Sequence, residues 1–303
     1  MDPSVAHVPV MLGEALEHLR LEPGKVIVDG TGGAGGHAGA LLDRLRPGGR
    51  LIVLDRDLEA LERLKARIGR PGDVRYFYAN FCDLDQVLAQ AGEGQIHGVL
   101  LDLGVSSLQL ADPDRGFSFD RAGRLDMRFD RAAALTAEDV VNRWPAERLA
   151  EVFRRYGDQP FARRIAAAIA AARQRRPIRT TDELAEVVTR ALPPAHRRRE
   201  RLHPATRVFQ AVRIAVNDEL GSLERFFDKV FDCLISPGGR VVVIAFHSGE
   251  DRIVKNRLRE AVRAGRARLV TAKPLAPTPA EVQANPRSRS ARMRVAEALA
   301  AAG

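Results

Sequence analysis

From Lys25 to Asp102 the chain repeats one pattern: a short apolar run rich in β-formers, a turn, then a longer amphipathic stretch. The runs are Val26 to Asp29 (VIVD), Leu51 to Asp55 (LIVLD), Val74 to Tyr78 (VRYFY) and Val99 to Asp102 (VLLD). Each is apolar enough to be buried on both faces, whereas Ala38 to Leu45, Leu58 to Ile68 and Leu84 to Ala91 space their apolar residues as helices do. A strand buried on both faces needs a helical layer above and below it. The pattern therefore predicts an α/β fold, a doubly wound parallel sheet with crossover helices.

After Asp102 the rhythm stops for roughly a hundred residues, far more than a plain crossover needs. It resumes at Arg240 to Phe246 (RVVVIAF), preceded by the turn-forming Pro237-Gly238-Gly239. Within the gap Ala146 to Arg155, Phe161 to Arg173 and Thr181 to Leu192 have helical spacing; Thr180 or Thr181 caps the last, and Pro193 and Pro194 end it. The expected organisation is a sheet domain in two parts, residues 1–112 and 213–303, interrupted by a helical subdomain at 113–212. Ala211 to Leu220 and Leu223 to Leu234 are read as the helical return to the sheet. Arg268 to Thr271 and Arg292 to Ala296 are read as two last strands, joined by a loop containing Asn285-Pro286-Arg287.

The first strand runs straight into Asp29-Gly30-Thr31-Gly32-Gly33-Ala34-Gly35-Gly36-His37 and then a helix. Glycines there let backbone approach a nucleotide at the carboxyl end of the sheet. Gly30, Gly32 and Gly35 also satisfy the spacing of dinucleotide-binding proteins, so a nicotinamide-dependent oxidoreductase is the rival reading. Asp29 decides against it: a carboxylate at the loop's mouth repels a pyrophosphate but suits the ammonium and sulfonium of S-adenosylmethionine. Asp55 stands where an acid accepts hydrogen bonds from ribose hydroxyls, Asn80-Phe81-Cys82-Asp83 where an adenine stacks or hydrogen-bonds, and Asp102 beside the expected methyl group.

A formal net charge of +9 favours a polyanionic partner such as nucleic acid. Only five of the 48 basic residues are lysine, a bias a GC-rich genome also produces. No run approaches the roughly 20 apolar residues of a spanning helix, and MDPSVAHVPVML lacks the form of a signal peptide, so a cytoplasmic protein with no membrane partner is expected. Cys82 and Cys233 stand far apart, outside any metal-ligand spacing, and read as small buried hydrophobes; no metal site is expected.

Dispersed motifs carry a more specific resemblance. They are His7-Val8-Pro9-Val10-Met11-Leu12, the Asp29 to His37 loop, Leu54-Asp55-Arg56-Asp57, Leu101-Asp102-Leu103-Gly104-Val105-Ser106-Ser107, Arg115-Gly116-Phe117-Ser118-Phe119 and Leu125-Asp126-Met127-Arg128. Beyond them come His203-Pro204-Ala205-Thr206-Arg207 with Phe209-Gln210-Ala211, Asn217-Asp218-Glu219-Leu220, Phe246-His247-Ser248 and Asn285-Pro286-Arg287-Ser288-Arg289-Ser290. In this order, over nearly the whole chain, they resemble the bacterial 16S rRNA cytosine-N4 methyltransferase family (MraW-like). The resemblance implies a class I S-adenosylmethionine-dependent methyltransferase fold with an inserted helical domain. It also implies a substrate, a cytidine in the decoding region of 16S rRNA within the small ribosomal subunit. The family's donor contacts fall on Gly35, Gly36, His37, Asp55, Phe81, Asp102 and Gln109; spacing alone does not single out Gln109. One departure is Gly249, where the family's Phe-His-Ser-x-Glu-Asp-Arg motif usually carries leucine.

The lone pair of a cytosine N4 amine is delocalised into the ring, so such an enzyme works chiefly by positioning. An acceptor for the amine's N–H restores density to nitrogen; Asp102 is the first candidate, with His247 or Ser248 as alternates. The Asn/Asp-Pro-Pro-Tyr/Phe signature of DNA amino-methyltransferases is missing after the fourth run, where Asp102-Leu103-Gly104-Val105 stands. On the RNA side, Phe117 and Phe119 suit base stacking, and Arg115, Arg124, Arg128, Arg197-Arg198-Arg199, Arg201 and Arg207 suit phosphates, with His203 and His247 as further substrate-binding candidates. The same phenylalanines equally suit a hydrophobic core and the arginines a solvated surface. A non-catalytic RNA-binding or ribosome-assembly factor, or a methyltransferase for another nucleic acid or a protein, remains the alternative, and monomer and homodimer are both open.

Overall fold

The computed structural model describes residues 9–69, 72–194 and 203–300. The chain divides into two compact units, Met1–Gly104 with Leu220–Gly303, and Val105–Glu219. The second is wider at both ends than the 113–212 read from the sequence.

The first unit is built on seven strands: β1 Val26–Asp29, β2 Arg50–Asp55, β3 Val74–Tyr78, β4 Ile96–Asp102, β5 Ile235–Ala245, β6 Ala267–Leu269 and β7 Arg292–Ala298. Their order in the sheet is β3-β2-β1-β4-β5-β7-β6, with β7 antiparallel to both of its neighbours and the other pairings parallel. Alternate residues explain why helices cover both faces. Val28, Ile52, Val99 and Val243 pack on one side with Leu88, Phe226 and Leu258, whereas Ile27, Val53, Leu100 and Val242 pack on the other with Leu41, Leu42 and Leu64. The chain winds outward from β1 to β3 and then returns to β4 on the other side of β1. The reversal opens a crevice at the carboxyl ends of β1 and β4, the usual ligand position in such sheets.

Three details differ from the sequence reading. β5 begins at Ile235 rather than after Pro237-Gly238-Gly239: Ile96 pairs with Ile235 and Gly98 with Arg240, so the turn-forming residues bulge from a strand that continues past them. β6 ends at Leu269, although the N–H groups of Val270 and Thr271 still donate to Val295 O. The segment read as Ala211 to Leu220 is split. One helix, Thr206–Asn217, ends at Asp218 in the left-handed region (φ 48°), and a second, Glu219–Lys229, leads through a π turn at Val230–Leu234 into β5. The first belongs to the helical unit because Val208, Phe209, Val212 and Val216 are buried in that unit's core.

The helical unit packs Ala137–Arg143, Ala146–Gly157, Ala162–Arg175, Thr181–Ala191 and Thr206–Asn217 around Leu149, Phe153, Ile165, Ile169, Leu184 and Val188. Thr136 with Asp139, and Thr180 with Glu183, form reciprocal capping boxes that satisfy otherwise orphaned N–H groups at two helix starts. Asn217, 3% exposed, ties the last helix to the preceding loop: its Oδ1 accepts from Phe129 N at 2.7 Å and its Nδ2 donates to Met127 O at 2.7 Å. Among the described residues, no helix is long and apolar enough to cross a membrane. His7, Val8, Arg197, Arg198, Arg199 and Arg201 lie outside the described residues.

Candidate donor site and acceptor

The glycine loop is threaded between strand ends. Gly30 N donates to Leu100 O on β4 at 2.9 Å, and Gly32 N to Leu54 O on β2 at 2.8 Å. Such closeness excludes a side chain at Gly32, where a Cβ would stand 2.6 Å from Val53 Cγ1 and 3.3 Å from Leu54 O. Gly35 has φ 76°, a left-handed turn that starts the helix Gly36–Leu45 and that a side chain would strain. Thr31 joins the loop to β4, its Oγ1 accepting from Asp102 N at 2.7 Å.

Around this loop stand three carboxylates. Asp29, 1% exposed at the end of β1, accepts from Thr31 N through Oδ1 at 3.1 Å, while its Oδ2 is buried without a partner. Burial pushes its carboxyl up to about 7, with the like charge of Asp55 adding to the effect. Asp55, at the end of β2, accepts from Gly33 N through Oδ2 at 2.6 Å and from Asp57 N through Oδ1 at 2.8 Å. Burial raises it to about 6, against the lowering effect of those N–H donors. Asp102 is held well above the ordinary carboxylate range by burial first, then by Asp29 and Glu250. Its Oδ1 is buried and unpartnered, and its Oδ2 lies 3.5 Å from Nδ1 of His37. Three buried acids gathered about one loop, each with its carboxyl raised by burial, are suited to a cation placed among them.

The wall after β3 is Asn80 and Phe81. Asn80 Oδ1 accepts from Cys82 N at 3.3 Å, and Asn80 Nδ2 donates to Ser222 Oγ at 2.9 Å, fixing the turn that presents the half-buried Phe81 ring edge-on to Phe226. Cys82 is buried, as expected of a small hydrophobe, and burial raises its thiol. The first unit thus gathers Gly35, Gly36, His37, Asp55, Phe81 and Asp102. Gln109 belongs to the helical unit, where it is buried and completes a capping box: Ser106 N donates to its Oε1, and its own N donates to Ser106 Oγ.

The substrate-side candidates separate by burial. Arg115 is 4% exposed, and its guanidinium donates to the carbonyls of Arg128 and Phe129 at 3.0 and 2.9 Å. Phe117 is 8% exposed and stacks on Phe129, with ring centroids 5.3 Å apart. Arg128 clasps Asp126 with two nitrogens and donates a third hydrogen-bond set to Arg131 O and Ala133 O. Arg115 and Phe117, read as RNA contacts, are buried and serve instead as internal scaffolding of the helical unit, whereas Arg128 is half-buried and keeps part of its surface open. Arg124 and His203 are exposed, and Arg207, partly exposed, donates to Asp158 O at 2.7 Å. His203 stacks on Phe119 at 4.5 Å beside a groove of about 380 Å³ lined also by Asp182, Glu186 and Arg190.

At the carboxyl end of β5, His247 caps the helix Ser248–Arg263. Its Nδ1 accepts from Glu250 N at 3.4 Å, and its Nε2 lies 3.2 Å from Glu250 Oε1. Glu250, 2% exposed, turns its Oε2 to the N–H groups of Phe246 and His247. Its Nδ1 is thereby committed to the helix start, whereas Nε2 is buried without a hydrogen-bond partner, and the alternate acceptor Ser248 is exposed. At Gly249 a Cβ would lie 3.1 Å from the His247 ring, so the leucine usual in the family requires a slightly different ring position. Pro9 to Met11, from the N-terminal motif that suits covering the donor, lining an RNA path or packing on the sheet, run over the loop, with Pro9 against Gly36 and Val10 O 3.1 Å from His37 Nε2.

The family model described as "MraW methylase family" matches residues 4–299. A "Ribosomal RNA small subunit methyltransferase H" from Nitratidesulfovibrio vulgaris is 46% identical, covering 97% of this chain and 86% of that protein. Proteins of the same name from Thermomicrobium roseum (46% identical, 98% of this chain and 95% of that one) and Pelobacter propionicus (47% identical, 97% and 98%) are similar over their full length.

Proposed function

The chain belongs to the MraW methylase family, and on that premise we propose that it transfers the methyl group of S-adenosylmethionine to the N4 amine of a cytidine in the decoding region of 16S rRNA within the small ribosomal subunit. The observation that carries this reading is the ring of Asp29, Asp55 and Asp102 about a glycine loop at the sheet's switch point. The set suits an adenosyl ligand with a cationic amino-acid end and opposes the pyrophosphate of a nicotinamide cofactor. The rRNA substrate follows the names of the relatives, and an rRNA substrate makes the enzyme cytoplasmic.

The donor supplies an electrophilic methyl group on sulfur. Everything else falls to this chain. Asp55, its oxygens already aligned by Gly33 N and Asp57 N, accepts from the ribose hydroxyls. Phe81 offers a face to the adenine, Gly35 and Gly36 let the backbone come close, and Asp29 balances positive charge. The family pattern assigns a donor contact to Gln109 as well. Asp102 Oδ1, unpartnered, accepts an N–H of the cytosine amine and draws its lone pair toward nitrogen. As the N–C bond forms, the carboxylate takes the proton that the amine loses. His203, Arg207, Arg124 and, in part, Arg128 remain the substrate-side residues with exposed surface for RNA.

The test is incubation of the purified protein with labelled S-adenosylmethionine and 30S subunits from a strain lacking this activity, followed by nucleoside mass spectrometry. N4-methylated cytidine in the decoding region, lost in Asp102→Asn with donor binding retained, is the expected result. Donor binding without transfer to rRNA would move the substrate elsewhere, and no donor binding would leave an RNA-binding role.

A further inference from the structure

His37 is the second residue of the helix Gly36–Leu45 and is 6% exposed. Its ring lies between two oxygens. Nε2 is 3.1 Å from Val10 O, a carbonyl that can only accept, so Nε2 carries a proton and donates it there. Nδ1 is then directed to Asp102 Oδ2 at 3.5 Å. A neutral imidazole with Nε2–H presents a lone pair at Nδ1, and a lone pair facing a carboxylate oxygen is repulsive unless one proton lies between them.

The ring's aim is set from outside the loop. Pro9 packs against Gly36, where a Cβ would stand 2.4 Å from Pro9 Cγ. Met11, in the left-handed region (φ 51°), donates its N–H to Glu281 Oε1 at 2.7 Å, tying residues 9–11 to the helix Pro279–Ala284. Asp102 is fixed too, through its N–H on Thr31 Oγ1. The charged groups facing it are His37 from the loop helix, Asp29 from β1 and Glu250 from the helix after β5.

We propose that His37 is the positioning residue for Asp102: held by Val10 O, its Nδ1 shares one proton with Oδ2 and leaves Oδ1 as the acceptor for the substrate amine. The inference rests on the reading of Asp102 as that acceptor. In the transfer the nitrogen lone pair forms the N–C bond while the S–C pair returns to sulfur. The amine N–H pair returns to nitrogen as its proton moves to Oδ1, and the proton on the Oδ2 side passes fully to Nδ1. The products are a neutral methylamine, a thioether, a neutral carboxylic acid and an imidazolium; the extra proton leaves to water after product release. The 3.5 Å separation shortens as the pair takes up the proton, as catalytic hydrogen bonds commonly do in the loaded enzyme.

The proposal is distinguishable from a role of His37 in donor contact or packing alone. His37→Gln keeps a donor for Val10 O and removes the imidazole from Asp102. With full-length protein, 30S subunits and S-adenosylmethionine at saturation, so that any loss of the His37 donor contact is offset, the single-turnover rate is expected to fall about 100-fold. The acid limb of the pH–rate profile moves to higher pH, because Asp102 without a cationic neighbour, and facing Asp29 and Glu250, holds its proton more tightly. A second readout needs no turnover: in ¹⁵N–¹H spectra of donor-free protein, the His37 Nδ1 resonance has a pH step that disappears in Asp102→Asn. A weakened Kd with an unchanged saturated rate, or a lowered rate with an unmoved acid limb, overturns the proposal while leaving Asp102 in place. Full activity of Asp102→Asn at saturating donor instead removes the reading beneath it. Should His37→Gln fail to fold, the Nδ1 step and its loss in Asp102→Asn decide alone.

Discussion

Replacing Asp29 with Asn should make the donor-free protein more stable and the donor-bound protein weaker. Asp29 has a folded-state pKa of about 7 against an ordinary 3.8, so the folded chain holds this proton more tightly than the unfolded chain does. Between about pH 4 and pH 7 the folded state therefore binds more protons, and its stability falls as the pH rises through that window. The interval from 3.8 to about 7 corresponds to about 4 kcal/mol of destabilisation once Asp29 is ionised. Asn carries no charge and still offers Thr31 N an acceptor. Urea unfolding of donor-free wild type and Asp29→Asn at pH 4.5 and pH 8 should give similar values at the lower pH and a clear advantage for the variant, up to about 4 kcal/mol, at the higher. The same variant should lose affinity for S-adenosylmethionine, a trade of stability against function common at binding sites. An equal stability difference at both pH values would refute the claim that the buried charge is the cause.

Donor affinity in the wild type should itself follow the two acids: with Asp29 at about 7 and Asp55 at about 6, a cationic ligand that needs both ionised loses about 1000-fold between pH 8 and pH 5, measurable by calorimetry, and about tenfold in Asp29→Asn. Gly32→Ala should weaken donor binding at least tenfold and destabilise by about 1–3 kcal/mol, since its Cβ meets Val53, Leu64 and Leu54 O; equilibrium dialysis and thermal melting report the two effects. Asn217→Ala strands Phe129 N and Met127 O and should cost about 2–4 kcal/mol in urea unfolding of the chain. Association with 30S subunits should weaken at least tenfold between 50 and 200 mM salt in a filter-binding assay, as expected of a basic protein that displaces counterions from phosphates.

The central strands could be read directly because burial on both faces leaves little choice of residue: β1 has the same bounds in sequence and structure, and β2 and β4 differ only at their starts. β3, also read with the right bounds, is an edge strand with Arg75 and Tyr78 exposed rather than buried on both faces. The acids at the ends of β1, β2 and β4 were equally visible, since each closes an apolar run at the carboxyl edge of the sheet. Some helices were not. Leu12–His18 has too few turns to establish a period, and Ser248–Arg263, though 16 residues long, hides its start behind His247, whose cap is a side-chain hydrogen bond rather than an apolar repeat. Pro237-Gly238-Gly239 carried correct turn chemistry, but pairing on either side of the bulge kept the strand whole.

Local chemistry along the chain thus determined the sheet, the glycine loop, the acid positions and the kind of ligand they suit, because each depends on neighbours a few residues away. Tertiary structure decided which polar groups are available. Arg115 and Phe117 look like RNA contacts in one dimension, yet carbonyls and a ring more than ten residues away occupy them. His37 looks like the start of a helix, yet Val10 and Asp102 give its two nitrogens different roles. Long-range contacts set the desolvation and pairing of a side chain, and neither quantity is written in its neighbours.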